Sequence, residues 1–233
     1  MTGSNADSAT ATVAARAGAG REYAYRVRNE RIDRTVAFAE VDPTLDFDRL
    51  RAWFGSDHVK PYWQLDLPEA AFRAKLDSKL GDDHLTPYVG LLDHTPMSYW
   101  EAYRAADDVV GERYDAEPED RGVHLLIGPP EYLGHGYAVP LLRAITAFQF
   151  RATDAGRVVS EPDVRNEIAI RVFERCGYEP QGRIDLPDKE ALLMHCERER
   201  FFDAVAEPAD ANTDGDTDRC VDVAADAETE VGR

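Results

Sequence analysis

The chain has 233 residues, with 45 acidic side chains against 27 basic ones and a formal net charge of -18. That balance argues against nucleic acid and anionic membrane as partners, since both reward clusters of Lys and Arg. Only four basic residues are lysines (Lys60, Lys75, Lys79 and Lys189), and an acidic, lysine-poor chain predicts a halophilic protein whose carboxylate surface is tamed by salt, the alternative being an ordinary acidic bacterial protein. Cys176, Cys196 and Cys220 are too scattered for a metal knuckle, no apolar run approaches the ~20 residues of a membrane span, and no basic-then-apolar segment opens the chain. The expected location is the cytoplasm.

Residues 1–22 are Ala/Thr/Ser/Gly-rich and aperiodic, a leader expected to be disordered. An extended segment over 23–41 precedes a helix capped by Thr44 or Asp46, with Leu45, Leu50, Trp53 and Phe54 on its apolar face. Pro68 opens a second helix carrying Phe72 and Leu76. A hairpin follows, with strands over 88–92 and 97–103 and a turn through Asp93, His94, Thr95 and Pro96. Val123 to Ile127 reads as a buried strand, and 136–153 as a helix that tolerates Pro140 because it lies near the first turn. Then come a strand over 157–160, a helix over 166–176 stopped by Gly177, and a last strand over 191–196. A hairpin followed by alternating strands and helices predicts an α/β domain over 23–202, with a mixed sheet covered by helices. Residues 203–233, ten acidic against two arginines, predict a solvated acidic tail. Its Asp210–Asp216 stretch imitates a calcium loop but has Val221 where the bidentate Glu belongs.

The stretch over 123–138, V-H-L-L-I-G-P-P-E-Y-L-G-H-G-Y-A, is a buried strand running through a Gly/Pro-rich loop into a helix. Gly134 and Gly136 let the backbone approach a ligand, and the helix start offers free N–H groups, so Gly134, His135, Gly136, Tyr137 and Ala138 form a candidate pyrophosphate cradle. It is neither a Rossmann fingerprint, which wants a third glycine, nor a P-loop, which wants Gly-Lys-Ser/Thr. A second stretch, N-E-I-A-I-R-V-F-E-R-C-G-Y over 166–178, is an amphipathic helix with Ala169, Ile170, Phe173 and Cys176 inward.

Together these two stretches resemble the coenzyme A-binding signatures of the GCN5-related N-acetyltransferase (GNAT) superfamily. Glu131 departs from the Arg/Gln that opens the family's first motif, and Phe173 falls where the family often has a tyrosine that protonates the departing thiolate. The blocks P-M-S-Y-W-E-A-Y (96–103), D-R-G-V-H-L-L-I-G-P-P-E (120–131), E-P-D-V-R-N-E (161–167) and D-L-P-D-K-E-A (185–191) resemble the superfamily's siderophore branch. The resemblance implies a mostly antiparallel central sheet and transfer of an acetyl or larger acyl group from acetyl-CoA or another acyl-CoA. The acceptor would be the side-chain nitrogen of an N-hydroxylated, lysine-like amine. Two other readings stay open: transfer to a protein amine or polyamine, and a non-catalytic coenzyme A-binding module.

On this reading His124, whose alternative role is that of a hydrogen-bonded core histidine, is the candidate base, oriented by Asp163, whose alternative role is capping the helix at Asn166. The Leu126 amide is the candidate oxyanion donor, and Asn166 joins the coenzyme site. Strand alternation places Met97, Tyr99, Glu101 and Tyr103 on one face and Ser98, Trp100 and Ala102 on the other, with Trp100 a core residue. Glu101 needs a cationic partner and could hold the acceptor's amino group. Tyr99 joins it as a substrate-side residue, and His58, Tyr62 and Trp63 serve either the acceptor wall or packing. His84, His94 and His195 read as surface or edge residues, and no His/Cys/Asp spacing suggests a metal.

Overall fold

The computed structural model describes residues 21–206. The acidic tail beyond them, the calcium-like stretch and Cys220 lie outside the described residues, as does the leader up to residue 20.

Eight strands form one sheet in the order β1-β2-β3-β4-β5-β6-β8-β7. Their ranges are β1 Tyr25–Asn29, β2 Arg34–Glu40, β3 Leu85–Leu92, β4 Thr95–Arg104, β5 Arg121–Ile127, β6 Arg157–Ser160, β7 Glu179–Asp185 and β8 Glu190–Glu197. Every neighbouring pair is antiparallel except β5–β6. The helices are α1 Pro43–Phe54, α2 Lys60–Trp63, α3 Glu69–Leu80, α4 Ala138–Ala152, α5 Glu167–Arg175 and α6 Arg198–Ala206. The sheet is mixed, mostly antiparallel and covered by helices on both faces. On one face α4, α5 and α6 close over Phe38, Trp100 and Val123 with Leu141, Ile145, Phe150, Phe173 and Phe201. On the other, α1 and α3 set Leu50, Phe54, Phe72 and Leu76 against Val89, Leu91, Tyr99 and Leu126. Each fully buried side chain of this kind contributes about 2–3 kcal/mol of transfer free energy.

Local chemistry moved several boundaries. The extended segment 23–41 is a hairpin: Asn29 accepts from the Ile32 N–H, and Asp33 takes a positive φ of 50° to turn the chain back. The cap of α1 is Asp42, which accepts from the Thr44 and Leu45 amides at 2.7 and 3.3 Å. Pro43 fills the first helical position, where its missing N–H leaves no bond unmade. Leu45 therefore points outward, half exposed, and Phe47 takes its place in the core. The β3–β4 turn is the pair Asp93–His94, both at positive φ, and Thr95 and Pro96 already belong to β4. Gly90 faces Ser98 but Leu91 faces Pro96, so Met97 bulges out of the ladder and packs in Trp100's core layer, opposite the layer of Tyr99. The one-residue insertion breaks the period-two alternation. Edge strand β7 and helix α6 add to the elements read from the sequence, and α6 carries the helical chain past residue 202 to Ala206.

Candidate functional site

β5 and β6 pair only through Arg121–Val158 and Gly122–Val159. Beyond Gly122, β5 continues to Ile127 while β6 stops at Ser160, and the strands splay apart. A cavity of about 220 Å³ opens there, walled by Trp63, Glu101, His124, Leu125, Glu161 and Phe173 among others. At the far end of β5 the chain passes through the exposed loop 131–136 into α4. Gly134 and Gly136 hold φ of 76° and 70°, the left-handed region that favours glycine, and a Cβ built on either meets nothing within 4 Å. The cradle is therefore open in front of the N-terminal amides of α4, as a pyrophosphate would require. Asn166 lines the splay cavity while its side chain caps α5 by accepting from the Ala169 N–H at 3.1 Å.

The floor of the cavity is a chain of charges. Glu101 receives Lys79 Nζ at 2.7 Å, the Tyr99 hydroxyl at 2.6 Å and His124 Nδ1 at 2.9 Å. His124 Nε2 bonds Glu161, whose carboxylate also accepts from the Tyr103 hydroxyl at 2.7 Å and lies 3.9 Å from Lys189 Nζ. Gly122 makes part of this possible: a Cβ there would run into the Tyr103 ring, whose hydroxyl reaches Glu161. A neutral imidazole has one N–H, so a ring with a carboxylate at each nitrogen is held as imidazolium, donating twice. The energetics agree. Burial opposes the charge on His124, but the Glu161 charge and the hydrogen bonds to Glu101 and Glu161 outweigh it and raise the group to about 9. Burial would likewise raise the glutamates. For Glu101 the attraction of Lys79 and His124, and for Glu161 that of His124 and Lys189, win instead and hold each at about 2.

This geometry corrects the site read from sequence in four places. His124 does not pair with Asp163. The Asp163 carboxylate is bound by the side chain and backbone N–H of Arg165, and the cap of α5 is Asn166, not Asp163. With both nitrogens committed, His124 has no lone pair with which to accept a proton, so its expected role as base does not fit its environment. Glu101 already has its cation, Lys79, and is buried rather than open to an acceptor amine. Finally, the Leu126 amide faces β4. Gly128 N–H donates to the Met97 carbonyl at 2.9 Å, and the β4–β5 register is unbroken, so alternation turns the amides of Leu126 and His124 the same way. The amides facing the splay belong to Leu125, which lines the cavity, and Ile127.

The remaining candidates divide. Trp63 lines the cavity, its ring edge-on to His124 and Tyr99, and Tyr62 lines it too. Tyr99 is fully buried beneath the floor, where its hydroxyl donates to Glu101. His58 stands outside the cavity wall, its Nε2 2.9 Å from the Ile127 carbonyl. His135 stacks on Tyr137 at the cradle. Phe173 walls the cavity where a phenol would otherwise stand. His195 is half-buried and not on an edge strand: it lies in β8 between β6 and β7, and burial, then Arg157, lowers it to about 4. Cys176 and Cys196 are buried thiols pushed up to about 12 and are chemically quiet. Sequence reasoning missed Lys79, Glu161 and Lys189. Glu161 stands in the quoted E-P-D block, two residues before Asp163, and the lysine pair could have been suspected from the scarcity of lysine.

The splayed strands, the glycine cradle at a helix start and the charged acceptor side define an acyl-CoA-dependent N-acyltransferase. The chain belongs to the GNAT acetyltransferases: the Acetyltransferase (GNAT) domain matches residues 42–186. It is similar to the N(6)-hydroxylysine O-acetyltransferase of Escherichia coli, 32% identical over 78% of this chain and 58% of that protein, and so spans little more than half of that relative's length. It is also similar to the N-hydroxyputrescine acetyltransferase of Acinetobacter baumannii, 32% identical over 72% of this chain and 80% of that one. Among solved structures, aminoglycoside acetyltransferase AAC(6')-Ib in complex with coenzyme A superposes with a TM-score of 0.67 at 26% identity, covering 73% of this chain and 99% of that one. Among the described residues no helix is long and apolar enough to cross a membrane, and no cluster of His, Cys, Asp and Glu is arranged to hold a metal.

Proposed function

We propose that this chain transfers an acetyl group, or a larger acyl group, from acyl-CoA to the nitrogen of an N-hydroxylated, lysine-like amine in the making of a hydroxamate siderophore. The names of the two curated relatives, both concerned with N-hydroxy amines, support this acceptor class. The observation that carries the reading is the doubly committed His124 at the mouth of the splay. A site without a free base suits an acceptor that needs none, and an N-hydroxylamine is far less basic than a lysine amine of pKa about 10.4, so it arrives neutral.

The loop at Gly134 and Gly136, with the α4 amides behind it, would hold the pyrophosphate of the donor. The Leu125 amide, facing the cleft, would donate to the carbonyl oxygen as charge develops on it, and Trp63 and the charged floor would align the acceptor. The nitrogen lone pair forms the new N–C bond as the C–S bond breaks, and the proton shed by nitrogen ends on the released thiol. His124, Glu101 and Glu161 orient and hold charge throughout. Mass spectrometry of products from acetyl-CoA and a panel of N-hydroxy amines with their parent amines tests the proposal. Acetylation at the hydroxylamine nitrogen is expected, and products from the parent amines alone would overturn it.

A further inference from the structure

The floor of the cavity alternates in sign from end to end: Lys79, Glu101, His124, Glu161, Lys189. Its two anions are sunk and its three cations are showing. Glu101 and Glu161 keep 1% and 3% of their side-chain surface, whereas Lys79, His124 and Lys189 keep 20%, 24% and 16%. An acceptor entering the cavity therefore meets a surface one positive charge in excess, with each carboxylate oxygen already engaged beneath it. The other charged groups do not change that sign. Asp163 is matched by Arg165, while Lys75 and Asp188, opposite in sign, stand exposed among the cavity's lining residues. The placement is also conspicuous in composition, because three of the chain's four lysines line this one cavity.

We infer that this array is an electrostatic filter: Lys79 and Lys189, acting through Glu101 and Glu161, are specificity-determining residues that keep ammonium groups out and leave the site to an uncharged acceptor nitrogen. The inference rests on the proposed acceptor class and adds how the site refuses the alternative. An N-hydroxylated amine is made from a parent amine, so the two occur together and differ little in shape. Shape alone cannot part them, but charge can, because at neutral pH the parent carries a proton and the N-hydroxy form does not. The parent amine would then fail to occupy the site, rather than occupy it and wait for a base. The benefit appears in binding: the filter relieves competition by the parent and leaves the chemical step on the neutral nitrogen unaltered.

The experiment is titration calorimetry on the full chain with coenzyme A present, comparing an N-hydroxy amine with its parent at neutral pH. The proteins are wild type, Lys79→Gln, Lys189→Gln and the charge-keeping Lys79→Arg. Glutamine retains a donor for the buried carboxylate, and a ratio of two dissociation constants does not depend on the folded fraction. Wild type should bind the N-hydroxy form more tightly. Each glutamine variant should shrink that preference by on the order of tenfold, chiefly by tighter binding of the parent, while Lys79→Arg stays within about twofold of wild type. Should Lys79→Gln fail to fold, Lys189→Gln decides alone, since its contact at 3.9 Å is the loosest of the array. An unchanged preference in the glutamine variants, or equal wild-type affinity for the two forms, overturns the filter. Absence of any acetylated N-hydroxy product from wild type would instead overturn the acceptor class on which it rests.

Discussion

The charge on His124 can be weighed through its effect on folding. In the folded protein the imidazolium is held to about 9, against 6.5 for the free group, because two carboxylates attract it more than burial penalises it. That difference corresponds to about 3 kcal/mol. The depressed values of Glu101 and Glu161 report the same attractions from the other side, so they are not added to this figure. A raised value stabilises the fold only while the group is protonated. The contribution is thus complete below about pH 6.5 and lost as pH climbs through about 9. His124→Gln keeps a polar side chain between the glutamates but carries no proton to lose. Urea unfolding of both proteins at about pH 6 and about pH 9.5 should show wild type losing about 3 kcal/mol more than the variant across that interval. Parallel profiles for the two proteins would refute the imidazolium assignment.

Three further outcomes follow from the same geometry. Glu161→Gln removes a buried partner of His124 and should destabilise by about 3 kcal/mol, whereas Asp163→Asn, whose partner Arg165 is 68% exposed, should stay below about 1 kcal/mol in the same unfolding assay. Gly136→Val should raise the Michaelis constant for acetyl-CoA at least about tenfold by filling the cradle, and should lower the melting temperature as well, because a β-branched residue at a φ of 70° is strained by about 1–3 kcal/mol. The acidic, lysine-poor surface should make the melting temperature climb from low salt to molar potassium chloride; a flat or falling curve would remove the halophilic reading.

Where local chemistry decides structure, the sequence spoke clearly. The α4 and α5 helices, the β5 strand and the glycine cradle follow from periodicity, Pro140 near a helix start and Gly177 at a helix stop. Elements shaped by distant contacts were silent. The β1–β2 turn over 30–33 contains neither Gly nor Pro and depends on Asn29 and Asp33, and β7 is an exposed edge strand interrupted near Pro180 and Gly182. The Met97 bulge changed a phase that strict alternation would have kept. The site was half legible for the same reason. His124 and Glu101 come from neighbouring strands and could be suspected together, but Lys79 arrives from α3, Glu161 from the end of β6 and Lys189 from the β7–β8 turn. A pairing between residues that far apart in sequence has no local signature, and within the short E-P-D block nothing in the pattern says that Glu161 rather than Asp163 reaches His124.

The account turns on an acceptor nitrogen that is already neutral when it meets a charged His124. The pH dependence of kcat/KM for an N-hydroxy amine, at fixed acetyl-CoA, tests this most directly. It should be level from about pH 7 to about pH 8, since the N-hydroxy nitrogen is already neutral and the imidazolium still holds most of its charge in that range. A profile that rises with unit slope through this interval, as a histidine base or a protonated acceptor would give, contradicts it.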